Sequence, residues 1–256
     1  MSTVDKALGI LDLFSEARPS LGLTEAARLS GRDKATVLRY LNALEKKGFV
    51  EQDPASRAYH LGPALVRLAV IRETTYPVSQ AARMILGKLV ESTGETAHLS
   101  HFAGESLSQI AVEETATHGT RVFIDMAEAL SFHGTASGIA FLSACPPERA
   151  RALLKGPLAT HTPATPRDPE TVLEQAALAS RQGFAICPGT FDADVCGIAA
   201  PVFGPSGEAC GAVAVATPSS RMSDATRSRI AKAVRKAAAE ISRHYGARVP
   251  VQGAAE

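Results

Sequence analysis

Lys34, Thr36, Arg39 and Tyr40 fall within seven consecutive residues. Val37, Leu41 and Leu44 stand at i, i+4 and i+7, so a helix here buries one stripe. The opposite face then presents Lys34, Thr36, Arg39 and Tyr40, with Asn42 lower down. Arginine can pair bidentately with guanine, and Lys, Thr and Tyr side chains can reach phosphate oxygens. Arg32, just before the helix, and Arg57, in a later turn, extend the set. The chemistry these types suggest is non-covalent recognition of double-stranded DNA.

Three elements must hold that face. Val4, Ala7, Leu8, Leu11 and Phe14 have helical spacing. Thr24 is expected to cap a short helix that stops at Ser30-Gly31, and Asp33 a longer one through about Lys47. Residues 23–47 thus have the length and Gly-containing turn of a helix-turn-helix. Two extended runs, 49–52 and 57–62, flank Asp53-Pro54-Ala55-Ser56 and read as a hairpin, the wing. Residues 63–76 read as a linker helix broken at Tyr76-Pro77. The expected division is 1–62 for DNA binding, 63–76 for the linker and 77–256 for a second domain. The blander alternative for the first part is a small helical domain with a solvated charged face.

Beyond Gly94 the periodicity changes. Thr96–Phe102, Ser106–Glu113 and Arg121–Met126 read as strands, as do Phe184–Cys187, Cys196–Phe203 and Ala209–Ala216. Helices are expected over 77–92, 136–144, 147–154 and 169–182, and Ser223 and Asp224 cap a long basic helix to Tyr245. The proline-rich stretch 155–169 reads as a surface loop. The fold class is α+β.

The 256 residues carry a formal net charge of +1, which conceals a segregation. Residues 1–75 hold about 11 basic and 9 acidic side chains, 76–220 about 8 and 14, and 221–248 about 8 and 2. Basic ends around an acidic middle suit a divided task with an acidic partner. Asp5, Asp12 and Glu16 interrupt any secretory pattern, and no apolar run is long enough for a membrane helix, so a cytoplasmic protein without membrane contact is expected. The four cysteines form no C-x-x-C pair and read as reduced thiols. His98 and His101, three apart in a strand, point to opposite faces, and no metal-spaced cluster exists, so neither metal nor cofactor is expected. Ser137 does not stand in a nucleophile elbow, Cys187 has no identifiable base, and Asp125 and Glu128 read as solvated acids. An enzyme is not expected.

These residues resemble the IclR family of bacterial regulators over nearly the whole chain. The resemblance rests on Val4-Asp5-Lys6-Ala7-Leu8-Gly9-Ile10-Leu11, Leu23-Thr24-Glu25-Ala26-Ala27, Lys34-Ala35-Thr36-Val37-Leu38-Arg39-Tyr40-Leu41 and Tyr59-His60-Leu61-Gly62. It continues through His133-Gly134-Thr135-Ala136-Ser137-Gly138, Gly183-Phe184-Ala185, Gly197-Ile198-Ala199-Ala200-Pro201-Val202-Phe203 and Gly211-Ala212-Val213-Ala214-Val215. It implies a winged helix-turn-helix domain and a GAF-like effector domain with a central antiparallel sheet flanked by helices. It also implies homodimers or homotetramers on an operator, and a small organic or aromatic acid as effector.

The family's pocket lies between the sheet and the segment matching Thr135, Ala136 and Ser137. A helix beginning there offers free amides and a favourable dipole to a carboxylate. The resemblance places Cys187, Phe191, Asp192, Cys196, Gly197, Ala214 and Ala216 on the other wall. Acid-binding relatives tend to carry Cys where Gly197 stands, and this departure suggests a larger or less polar effector than a short keto acid. The leading expectation is a DNA-binding regulator, more readily a repressor. The alternative is a metabolite-sensing module acting through protein partners.

Overall fold

A computed structural model describes residues 2–15, 18–75, 78–103, 105–126 and 129–247. The chain divides into two compact units, Met1–Pro77 and Val78–Glu256.

In the first unit, a capping box between Ser2 and Asp5 opens α1 (Thr3–Leu8), and a 3-10 turn covers Leu11–Leu13. The single helix expected from Val4 to Phe14 is therefore in two pieces, parted at Gly9, where glycine favours a break. Strand β1 (Ser20–Leu21) was not foreseen. Helix α2 (Leu23–Ser30) starts from Gly22 instead of Thr24, and Gly31 ends it in the left-handed region at φ 65°. Asp33 caps α3 (Lys34–Glu45), accepting from Thr36 N at 2.8 Å. Strands β2 (Val50–Gln52) and β3 (Tyr59–Leu61) form the hairpin, and β1 adds to β3 in the order β1-β3-β2. Ile10, Leu21, Val37, Leu41, Val50 and Tyr59 make the core. Helix α4 (Ala64–Thr75) is tied to this unit where Ala64 N donates to Gly48 O at 3.0 Å. Gly62 allows that approach, since a Cβ there would meet Gly48 O at 2.3 Å. The expected break at Tyr76-Pro77 lies outside the described residues.

The second unit opens with α5 (Val78–Thr93), β4 (Thr96–Ala103), β5 (Ser106–Glu113) and β6 (Ala129–Leu130). Then come α6 (Ala136–Ser143), α7 (Pro147–Leu153) and α8 (Pro169–Gln182). Last are β7 (Ala185–Pro188), β8 (Val195–Phe203), β9 (Ala209–Pro218) and α9 (Asp224–His244). The six strands are antiparallel in the order β6-β5-β4-β9-β8-β7. Leu86, Leu99, Ile198, Val213, Val215 and Val234 pack one face against α5 and α9. Ala140, Ala199, Ala212 and Ala214 pack the other against α6 and α8. Small residues on that second face let α6 lie close to the sheet, and Ala136 to Leu142 are all buried.

Residues 121–126 form no strand, contrary to the alternation there. A strand needs a ladder partner, and the free edge of β5 is taken instead by β6, with Leu107 opposite Leu130. The segment 122–125 is left as a flap beside the sheet. The expected loop 155–168 is irregular, but it is tied down. Thr162 Oγ1 donates to Gly189 O and Thr165 Oγ1 to Thr190 O, both at 2.6 Å.

Candidate functional site

Two surfaces carry the residues singled out above, one in each unit. On α3, Lys34 and Arg39 are exposed and form a stripe with Ala35, Leu38 and Asn42. Thr36 is half-buried, and its hydroxyl donates to Asp33 Oδ2 at 2.8 Å, so it completes the cap. Asp33 is held below the usual carboxylate range by the Thr36 amide, so it stays ionised at the helix N-terminus. Arg32 is half-exposed in the turn.

Tyr40 is not on that face. It is only 5 % exposed and belongs to the core of the unit. It follows Val37 by three and precedes Leu44 by four, which places it on the buried stripe. Its ring lies under the Arg39 guanidinium, 5.6 Å from it, and so supports the arginine from below. Leu38, overlooked in the sequence, takes the exposed place, where an apolar side chain can meet a thymine methyl.

Arg57 is exposed beside β3 with φ 60°. A non-glycine residue there carries strain of ~1–2 kcal/mol. Asp53 holds the turn, accepting from Ala55 N, Ser56 N and Ser56 Oγ at 2.6–3.0 Å. Gln52 Nε2 donates to Arg57 O at 2.9 Å, which fixes the backbone from which the guanidinium projects.

In the second unit a cavity of about 200 Å³ lies between the α6 face of the sheet and the start of α6. It is lined by Thr135, Ala136, Ser137, Cys187, Phe191, Asp192, Ala214 and Ala216, and by Gly197. Cys196 is elsewhere. Along β8, Val195 and Gly197 face the cavity, so Cys196 points through the sheet toward the opposite side, where it is buried.

Thr135 caps α6 by accepting from Gly138 N at 3.0 Å and donating to Ser131 O at 2.7 Å. The amides of Ala136 and Ser137, the first two of the helix, have no intrahelical acceptor and sit at the positive end of its dipole. Gly138 lets the preceding loop fold onto the helix, since a Cβ would meet Ser131 O at 2.4 Å. Gly197 does a similar service: a Cβ there would meet Ala136 Cβ at 3.0 Å. The missing side chain is filled by the approach of α6.

Lining residues not selected from the sequence include His98, Gln109, Thr190 and Val195, with the segment 122–125 on the same wall. Thr190 Oγ1 donates to Gly134 O at 2.7 Å and ties the β7–β8 turn to the start of α6. His98 Nε2 is 3.1 Å from Ser137 Oγ. Burial lowers the His98 pKa to about 4, so the ring is neutral. Its Nδ1 has no partner among the described residues, and none of them orients it as a catalytic base would be oriented. Burial likewise pushes the Cys187 thiol up to about 12, far from a thiolate nucleophile. Asp125 and Asp192 are exposed at the mouth, and Phe123 projects there 77 % exposed. Glu128 lies outside the described residues.

His133 is structural. Its Nε2 donates to Ala159 O at 2.7 Å, and its Nδ1 lies 2.9 Å from Ser131 Oγ. His161 continues the packing, with its ring centroid 4.6 Å from that of Phe191. Among the described residues no three His, Cys, Asp or Glu side chains group as metal ligands. No described helix is long and apolar enough to cross a membrane.

Residues 3–54 match the IclR helix-turn-helix domain, and residues 73–243 match the C-terminal domain of bacterial transcriptional regulator IclR. The chain belongs to the IclR family of DNA-binding transcriptional regulators. It is a regulator, not an enzyme. It is 33 % identical to the HTH-type transcriptional regulator BhcR of Paracoccus denitrificans, over 93 % of this chain and 85 % of that one. It is 28 % identical to the HTH-type transcriptional regulator XynR of Escherichia coli, over 96 % and 98 %. A crystal structure assigned as an IclR transcriptional regulator from a Silicibacter species superposes with a TM-score of 0.80 at 41 % identity, covering 98 % of both chains. An IclR homolog of Microbacterium hydrocarbonoxydans complexed with 4-hydroxybenzoate shares the fold, with a TM-score of 0.58 at 21 % identity over 95 % of this chain and 99 % of that one.

Proposed function

We propose that this IclR-family chain is an effector-responsive repressor, whose effector is a small organic or aromatic acid bound in the cavity at the start of α6. The observation that carries the reading is the pair of α6 amides without an intrahelical acceptor at a partly polar cavity open at one mouth. A carboxylate there gains both amides and the helix dipole, and Ser137 adds a hydroxyl. At about 200 Å³ the cavity falls below the ~300–1,000 Å³ of drug-sized sites, which suits a small metabolite. Gly197 is occupied by the approach of Ala136, so it does not argue for a larger ligand. Repression is favoured by relatives described as the transcriptional repressor IclR of Escherichia coli and the acetate operon repressor of Salmonella typhimurium, each 25 % identical.

In this reading Arg32, Lys34, Thr36 and Arg39 meet the operator and Arg57 reaches a neighbouring phosphate or minor groove. A homodimer or homotetramer supplies the second half-site. Helix α4 supports that assembly as well as its role as linker. Val66, Leu68, Val70 and Ile71 are all exposed on it, with Val66 at 68 %, and an apolar helix surface of this kind calls for a partner. A second copy of α4 is the simplest one. The protein then acts in the cytoplasm, where the DNA is. Effector response requires the acid to bind the DNA-competent and DNA-released arrangements with different affinity.

The test is a titration of an operator complex with candidate acids, using the wild-type chain and Ser137→Trp. The variant fills the cavity with an indole. It should bind operator as the wild type does and lose the response. A normal response in the variant would place the effector elsewhere.

A further inference from the structure

Two buried polar atoms on the cavity wall have no hydrogen-bond partner among the described residues: Nδ1 of His98 and Oε1 of Gln109. Both side chains are 8 % exposed. Gln109 donates its Nε2 to the backbone carbonyl of Asp125 at 3.2 Å, which leaves Oε1 as the unanswered half of the amide. A buried amide oxygen without a donor is costly, and a ligand that supplies one removes the cost. The group needed is an O–H or an N–H. A neutral donor meets Oε1 without the desolvation cost of burying a charge, so a hydroxyl fits better than an ammonium.

The placement is equally specific. A bulge at Leu99/Ser100 sets Gln109 opposite Ser100, two residues along β4 from His98. Strand spacing and rise put Gln109 and His98 about 8 Å apart at the backbone. His98 in turn reaches Ser137 at the start of α6. The cavity therefore has a donor end, the Ala136 and Ser137 amides, and an acceptor end at Gln109, a small molecule's length apart.

We infer that the effector is a hydroxylated carboxylate whose hydroxyl donates to Gln109 Oε1, making Gln109 the residue that separates a hydroxy acid from its deoxy analogue. This rests on the reading of the cavity as an acid site and adds the identity of the opposite end.

The experiment is calorimetric titration of the full chain with matched acids: propionate against 3-hydroxypropionate, and benzoate against 3- and 4-hydroxybenzoate. In at least one set the hydroxy acid should bind at least ~10-fold tighter, because a site built for a hydroxyl rejects the analogue lacking it. Gln109→Leu should shrink that ratio to under ~3-fold while the deoxy acid keeps its affinity. If that variant does not fold, Gln109→Met, of similar length and without the amide, carries the same test. Equal affinities within every set, or a preference that survives in the variant, would overturn the inference while leaving the acid site standing. No binding by any of the acids would overturn both.

Discussion

His98 Nε2 lies 3.1 Å from the hydroxyl oxygen of Ser137 and so joins strand β4 to the first turn of α6. The histidine is buried against the sheet and is paired across the ladder with Ala214, another cavity residue. The sheet and the helix that would receive an acid are thus linked through a neutral imidazole.

That neutrality has a consequence for pH. Burial lowers the His98 pKa from 6.5 to about 4. The unfolded chain therefore takes up a proton at higher pH than the folded one. The stability His98 contributes is complete above about pH 6.5 and is lost as pH falls toward 4, a change on the order of 3 kcal/mol. Urea unfolding at pH 7 and pH 5 should show a drop in the wild type. His98→Gln should show a smaller drop. Equal drops in the two proteins would mean His98 does not carry the effect.

Arg39 and Tyr40 are adjacent and do different work. Arg39→Ala should weaken operator binding by about 1–3 kcal/mol and relax sequence preference, because it removes an exposed guanidinium from the reading face. Tyr40→Ala should cost roughly 3–5 kcal/mol of stability, because it empties part of the core. Tyr40→Phe should bind operator normally, since the ring and not the hydroxyl is what α3 uses. Loss of DNA affinity in a well-folded Tyr40→Phe would return Tyr40 to the contact set.

Glu95, only 3 % exposed, accepts from Arg221 Nε and Nη2 at 2.7 Å each, and Arg221 Nη1 reaches Thr120 O at 3.1 Å. This fork fastens the loop that leads into the flap at 122–125. Breaking a buried pair by removing one partner costs up to ~3–5 kcal/mol, less where one side is open to water. Arg221 is 27 % exposed, so Glu95→Ala should cost roughly 2–3 kcal/mol. Hydrogen exchange should rise selectively at residues 120–125. A uniform rise across the second unit would show that the fork serves global stability alone.

The elements of both units were largely legible because periodicity and two of the expected caps announced them: Asp33 and Ser223 each accept from a backbone amide at their helix start. Gln109 was hidden for a physical reason. Strict alternation puts it on the same face as Ala111, but the bulge in the β4–β5 pairing reverses the phase. Gln109 turns to the cavity, Ala111 packs with Leu99 on the other face, and Ile110 is left exposed. Cys196 was the opposite case, since alternation with Val195 and Gly197 already excluded it from the cavity wall. The false strand at 121–126 shows that an alternating pattern cannot tell whether a ladder partner exists. Tyr40 could have been placed correctly by extending the Val37–Leu41–Leu44 stripe one position.

If α3 and the wing read DNA, phosphate contacts supply much of the affinity. Fluorescence anisotropy of the full chain on fragments flanking its own gene, from ~50 to ~200 mM salt with excess competitor DNA, tests it most directly. One fragment should survive competition, and log affinity should fall linearly with log salt at about −0.9 per phosphate contact. Affinity that is flat in salt, with no fragment preferred over competitor, would contradict the account and favour action through a protein partner.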